Sequence, residues 1–144
     1  IRAMLPGARI IGCRRDPLET CFSCYRQRLD NNEYTRNFDD LASFWRDCDR
    51  SLRHWQNLHP SRVLVHDYEA MLADPATRIR QLLEFCDLPF EETCLRFHEN
   101  AREVRSPSAT QVRQPLMSNT ARAPRYGALL DPLRTALGLP AWGD

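Results

Sequence analysis

The chain alternates between short apolar runs and longer stretches whose apolar residues recur every three or four positions. Residues 8–13 form the first apolar run, with Ile10 and Ile11 among small neighbours, and predict a short buried strand. Asp16 follows as a helix N-cap, with Pro17 at the first helical position and Glu19 three residues after the cap. This helix is expected to run to about Leu29. Leu18, Phe22, Tyr25 and Leu29 make its apolar stripe, and Thr20, Ser23 and Gln27 fall on the opposite side. Residues 30–37 are polar and predict a loop. Over 39–58, Leu41, Trp45, Cys48, Leu52, Trp55 and Leu58 repeat at helical steps behind Phe38, and the pattern assigns both tryptophans to the core. His59-Pro60-Ser61 breaks this helix, and residues 62–66 predict a second buried strand.

The chain turns helical again at 67–72. Asp74-Pro75 repeats the cap-plus-proline signal, and Ile79, Leu82, Leu83 and Cys86 supply the apolar side of a helix that ends by Leu88-Pro89-Phe90. A further short helix is expected from Glu91 to Phe97. Between Arg102 and Gly127 no periodicity is visible. This stretch is rich in arginine, proline, serine and threonine, and a loop of that length in a compact domain marks function or disorder. Asp131-Pro132 caps a last helix that stops at Gly138.

Two strands, each followed by a helix, predict an α/β fold with parallel pairing. Ligands of such sheets collect at the carboxyl ends of the strands. Arg15 lies just past the first strand and Tyr68 just past the second, so the topology sets them on one edge. Ser23, eight residues after Arg15, brings a hydroxyl to the same region. A guanidinium and a hydroxyl so placed suit a phosphate. Arg15 also has Asp16 and Glu19 in reach as ion-pair partners, the alternative role for that side chain.

Composition narrows the chemistry. The 144 residues suffice for one domain, and no apolar run is long enough to span a membrane. Net charge is +1, which singles out neither nucleic acid nor a membrane surface as partner. All twenty basic residues are arginine, so any anion site must use guanidinium groups. Six cysteines sit largely at element interiors and read as free thiols in a reducing, cytoplasmic setting. Cys21-x-x-Cys24 lies inside a helix and has no second ligand pair at zinc spacing, so no metal site is expected. His54, His59, His66 and His98 have no catalytic setting. The opening Ile-Arg-Ala-Met-Leu-Pro-Gly reads as the tail of a helix and a turn, as in a piece of a longer protein.

The order strand, Arg15-Asp16-Pro17, Ser23, strand, Tyr68-Glu69, then a Ser/Gln/Arg loop resembles the sulfotransferase family. It is nearest the bacterial tetratricopeptide-linked group related to tyrosylprotein sulfotransferases. Cys21-Phe22-Ser23-Cys24-Tyr25, Tyr68 to Pro75, and Ser108-Ala109-Thr110-Gln111-Val112-Arg113-Gln114-Pro115 carry the likeness, which spans about Leu5 to Leu137. The resemblance implies the C-terminal half of a parallel-sheet, P-loop-NTPase-like domain over residues 1–144. It implies 3′-phosphoadenosine 5′-phosphosulfate (PAPS) as sulfuryl donor, with no metal. Arg15 and Ser23 would hold its 3′-phosphate, Tyr68 would meet the adenine, and Ser108, Gln111 and Arg113 would belong to a segment folding over the nucleotide. Two positions depart from the relatives. Gln114 stands where they carry a lysine, which leaves Arg113 to serve, and Gln27 replaces a further arginine on the helix. The family's 5′-phosphosulfate loop and its base would precede Ile1, so the segment alone should transfer little or no sulfate. The acceptor would be a hydroxyl or amine on a protein tyrosine, a carbohydrate or a small alcohol. A P-loop-kinase-like nucleotide-binding fragment and a non-catalytic interaction module binding acidic partners are the competing readings.

Overall fold

The computed structural model describes residues 1, 3–27, 32–100, 103–104, 110–116 and 121–144. Strand β1 runs Ile10–Arg14 and strand β2 Val63–Asp67. They pair in parallel, from Ile10 opposite Val63 to Arg14 opposite Asp67. The first strand starts two residues later than its apolar run suggests. Ala8 is still held in the preceding turn, its N–H donating to Leu5 O, and the first cross-strand bond is Ile10 N–H to Arg62 O. Pairing, rather than local apolarity, sets that boundary.

Between the strands the chain passes through α1 (Pro17–Gln27), a 3₁₀ turn at Glu33–Arg36 and the long helix α2 (Phe38–Leu58). Asp16 caps α1 as expected, its Oδ1 accepting the Glu19 N–H at 2.8 Å. Glu19 does not complete the capping box. The Asp16 N–H donates instead to Glu69 Oε1 at 3.1 Å, a carboxylate from beyond the second strand. Asn37 caps α2 by accepting from Asp39 N–H and Asp40 N–H. After β2 come α3 (Tyr68–Ala73) and α4 (Pro75–Phe85), the latter capped by Asp74 through Thr77 N–H. Helix α4 ends earlier than Leu88 because Asp87 adopts φ 55° and Leu88 N–H turns back to Leu83 O. The Arg9 guanidinium clasps this turn at Phe85 O and the Asp87 carboxylate. The helix expected from Glu91 to Phe97 is a kinked 3₁₀ segment, Glu92–Glu99.

The main buried cluster is built from helical segments and contains no strand residue. Leu18, Cys21 and Phe22 of α1 and Leu41 of α2 pack with Ala123, Leu130 and Leu133 from the C-terminal part of the chain. The final helix, α5 (Asp131–Leu137), carries Leu133 at zero exposure and packs on both α1 and α2. It ends at Gly138 with φ 72°. Asp131 does not cap it; its Oδ1 accepts the Trp142 N–H and pins the following chain. Two apolar assignments also shift. Cys21 is buried where Tyr25 was expected, because α5 and the Ala123–Leu130 segment press on the α1 face that carries Cys21. Tyr25 lies at the edge of that contact, exposed and against Phe38. Trp55 is 47% exposed and stacks on His59 rather than entering the core.

Gly12 marks the closest approach of sheet and helix. A Cβ built there would lie 2.3 Å from Leu52 Cδ1 of α2. Gly12→Val should therefore destabilise the chain by about 1–3 kcal/mol through overpacking, measured by chemical denaturation. The double variant Gly12→Val/Leu52→Ala should recover part of that loss, and equal costs with and without Leu52 would refute the contact.

Candidate functional site

Because β1 and β2 run parallel and in register to Arg14 and Asp67, the next residues leave the sheet at the same end. Arg15 and Tyr68 meet there, with the guanidinium carbon 5.3 Å from the tyrosine ring centroid. The stacked ring supports the flat cation and limits its orientations. Arg15 Nη2 lies 3.3 Å from Glu19 Oε2, an i,i+4 pair across the start of α1. Its Nε is buried, has no hydrogen-bond partner among the described residues, and stands 4.0 Å from Glu69 Oε1. The ion pair open to Arg15 in the sequence thus exists, and it leaves part of the guanidinium's donor capacity unused.

Glu19 is the buried centre of this arrangement, with its side chain only 10% exposed. Its Oε1 accepts two backbone donors from the far end of the chain, Arg122 N–H at 2.8 Å and Ala123 N–H at 2.7 Å. A carboxylate removed from water needs such donors.

Arg15 and Ser23 line one cavity of about 440 Å³, together with Arg14, Thr20 and, on the apolar side, Tyr34, Phe44 and Trp45. Helical spacing turns Thr20 and Ser23 to the same wall. The Thr20 hydroxyl donates back to Asp16 O, and Ser23 Oγ accepts from Gln27 Nε2 at 3.1 Å. Ser23 therefore keeps its own proton to donate. Tyr68 touches Arg15 but does not line the cavity. Arg113 is exposed in the short turn Gln111–Arg113, which packs against Glu92–Glu99 and does not line the cavity. Ser108 and the Gln111 side chain lie outside the described residues.

The sequence reading gave one participant in part and missed another. Glu19 was legible as a capping-box residue and as an ion-pair partner of Arg15, but its bonds to the Arg122 and Ala123 N–H groups were not. Arg14 looked like a neighbour of the important arginine. It lines the cavity, and its Nε is 3.0 Å from Asp49 Oδ1, whose other oxygen takes Arg53 Nε at 2.7 Å.

The thiols of the cavity are poor nucleophiles where they are most enclosed. Burial pushes Cys21 up to about 12, with Cys24 and Asp16 adding to the effect, and burial also raises Cys24. Among the described residues no group of three or more His, Cys, Asp or Glu side chains is arranged to hold a metal ion. His66 is buried with Nε2 3.2 Å from Met71 Sδ, a packing position. No helix among the described residues is long and apolar enough to cross a membrane.

The family model described as "Sulfotransferase family" matches residues 1–92, which include Arg15, Ser23 and Tyr68. The chain belongs to the sulfotransferase family. It is also 32% identical over 138 residues to an uncharacterized protein of Aquifex aeolicus (strain VF5), a match that covers 92% of this chain and 18% of that protein. The chain thus spans less than a fifth of that relative's length.

The thiol environments order their reactivity. With iodoacetamide at pH 8, Cys13 and Cys48, both exposed, should alkylate first. Cys21 should resist, since with a value of about 12 only about one molecule in ten thousand carries its thiolate. Mass spectrometry of peptides over time gives the order, and early labelling of Cys21 would contradict its burial.

Proposed function

We propose that this chain is the 3′-phosphate-gripping part of a PAPS-dependent sulfotransferase domain of P-loop-NTPase-like architecture. The protein containing it moves a sulfuryl group from PAPS to a hydroxyl or amine acceptor. Family membership supports the class of reaction. One observation supports the role of these residues: Arg15 and Ser23 line a single cavity at the carboxyl end of the parallel strand pair.

The chemistry follows from the donors. The guanidinium of Arg15 forms charge-assisted bonds to phosphate oxygens, and the Ser23 hydroxyl adds another. Tyr68 holds the guanidinium plane from one side. Glu19 would oppose an incoming anion if its charge were uncompensated, but the Arg122 and Ala123 N–H groups already bind its Oε1. Arg15 covers one face of the Tyr68 ring, so the adenine would meet the ring's other face or its hydroxyl. These residues bind and orient the donor. In-line attack on sulfur also needs a base for the acceptor proton and a cradle for the 5′-phosphosulfate. Neither has a counterpart among the groups described above, and both belong to other parts of the protein in this reading.

Isothermal titration of the 144-residue chain tests the assignment. Adenosine 3′,5′-bisphosphate should bind more tightly than ADP. Arg15→Ala should weaken the bisphosphate by about 1.5–3 kcal/mol, or roughly 10- to 150-fold. Equal affinity for the two nucleotides would favour a kinase-like fragment. Salt-sensitive binding of acidic peptides with no nucleotide binding would favour an interaction module. An unchanged bisphosphate affinity in Arg15→Ala would remove Arg15 from the site.

A further inference from the structure

The bonds of Glu19 divide between its two oxygens. Oε1 takes the N–H groups of Arg122 and Ala123, and Oε2 takes Arg15 Nη2. One buried carboxylate therefore joins the candidate anion site to a segment more than a hundred residues away. That segment, Ala123–Leu130, runs straight into α5, and Ala123 is 2% exposed.

We infer that Glu19 is a positioning residue that couples anion binding at Arg15 to docking of the Ala123–Leu130 segment. The inference rests on the nucleotide reading above. When the segment is docked, two backbone donors draw on the charge of the carboxylate. The guanidinium is then held in place without being fully neutralised. When the segment is undocked, Glu19 turns its whole charge on Arg15 and repels a phosphate placed there. An anion on Arg15 therefore favours the docked segment, and the docked segment favours the anion. Such coupling is reciprocal. Proximity in sequence supplies none of this, because Arg15 lies between β1 and α1, four residues before Glu19, while the two N–H donors arrive from beyond residue 120.

Tryptic cleavage after Arg122 and Arg125, followed by mass spectrometry on the whole 144-residue chain, reads docking directly. Saturating adenosine 3′,5′-bisphosphate should slow that cleavage about fivefold or more in the wild type. Glu19→Gln keeps an amide oxygen for the two N–H groups and loses the charged partner of Arg15. It should fold and melt close to the wild type, bind the nucleotide, and show no nucleotide-dependent protection. Glu19→Ala should be cut quickly with or without nucleotide. A purely structural Glu19 would change melting and basal cleavage but leave the protection by nucleotide intact. Wild-type chain that binds the bisphosphate yet is cut at an unchanged rate would overturn the coupling and leave the nucleotide reading standing. Persistent protection in Glu19→Gln would overturn it too. Absence of bisphosphate binding would remove both. The wild-type comparison alone decides the matter if a variant fails to fold.

Discussion

The arrangement depends on one carboxylate removed from water. Glu19 sits in the first turn of α1, where a negative charge is favoured by the helix N-terminus. Its neighbours supply the three donors that make burial tolerable, two from the backbone of Arg122 and Ala123 and one from Arg15. The alternative, a buried acid without partners, would cost several kcal/mol or force protonation. The C-terminal part of the chain thus closes on α1 by satisfying a charge as well as by burying Ala123, Leu130 and Leu133. The same charge fixes where the guanidinium stands.

The sheet contributes register more than core. Two parallel strands in step guarantee that the residues following them emerge side by side, and here those residues are a cation and an aromatic ring. Glu69 strengthens the junction by accepting the N–H that starts α1, so the helix after the first strand is capped in part by the helix after the second. The apolar cluster formed by α1, α2 and α5 then holds α1 at the angle that turns Ser23 into the cavity.

Local signals announced the elements. Asp16-Pro17 and Asp74-Pro75 start helices where they stand, and the apolar spacing of Leu41, Trp45 and Leu52 describes α2. The parallel pair and the meeting of Arg15 with Tyr68 also followed from order along the chain. What stayed hidden depends on partners distant in sequence. Asp131 looks like a cap until Trp142 arrives to take its oxygen. Trp55 has the spacing of a core residue, yet it is 47% exposed and stacks on His59. Glu19 looks like half of a capping box, and nothing near it names Arg122 and Ala123. The residues Ser108, Gln111 and Arg113 were legible only through family likeness, and the family match itself covers residues 1–92.

The two adjacent arginines show how one residue of phase separates a cation tied to α2 from one set at the sheet's end beside Tyr68. Alternation along a strand sends Arg14 to the face that carries Gly12, where α2 packs and Asp49 waits. Asp49 is only 16% exposed and also binds Arg53, so Arg14 is one arm of a fixed clamp between sheet and helix. Arg15 stands beyond the last paired residue and is free of that alternation. Its carboxylate partner is already shared with two N–H groups, and its Nε has no bond to protein among the described residues. A planar guanidinium can meet Tyr68 with its face and still direct donors outward in its plane, which the compact ammonium of a lysine could not do. Arg15 is the arginine on which the proposed nucleotide role draws, and Arg14, tied to Asp49, lines the wall of the same cavity.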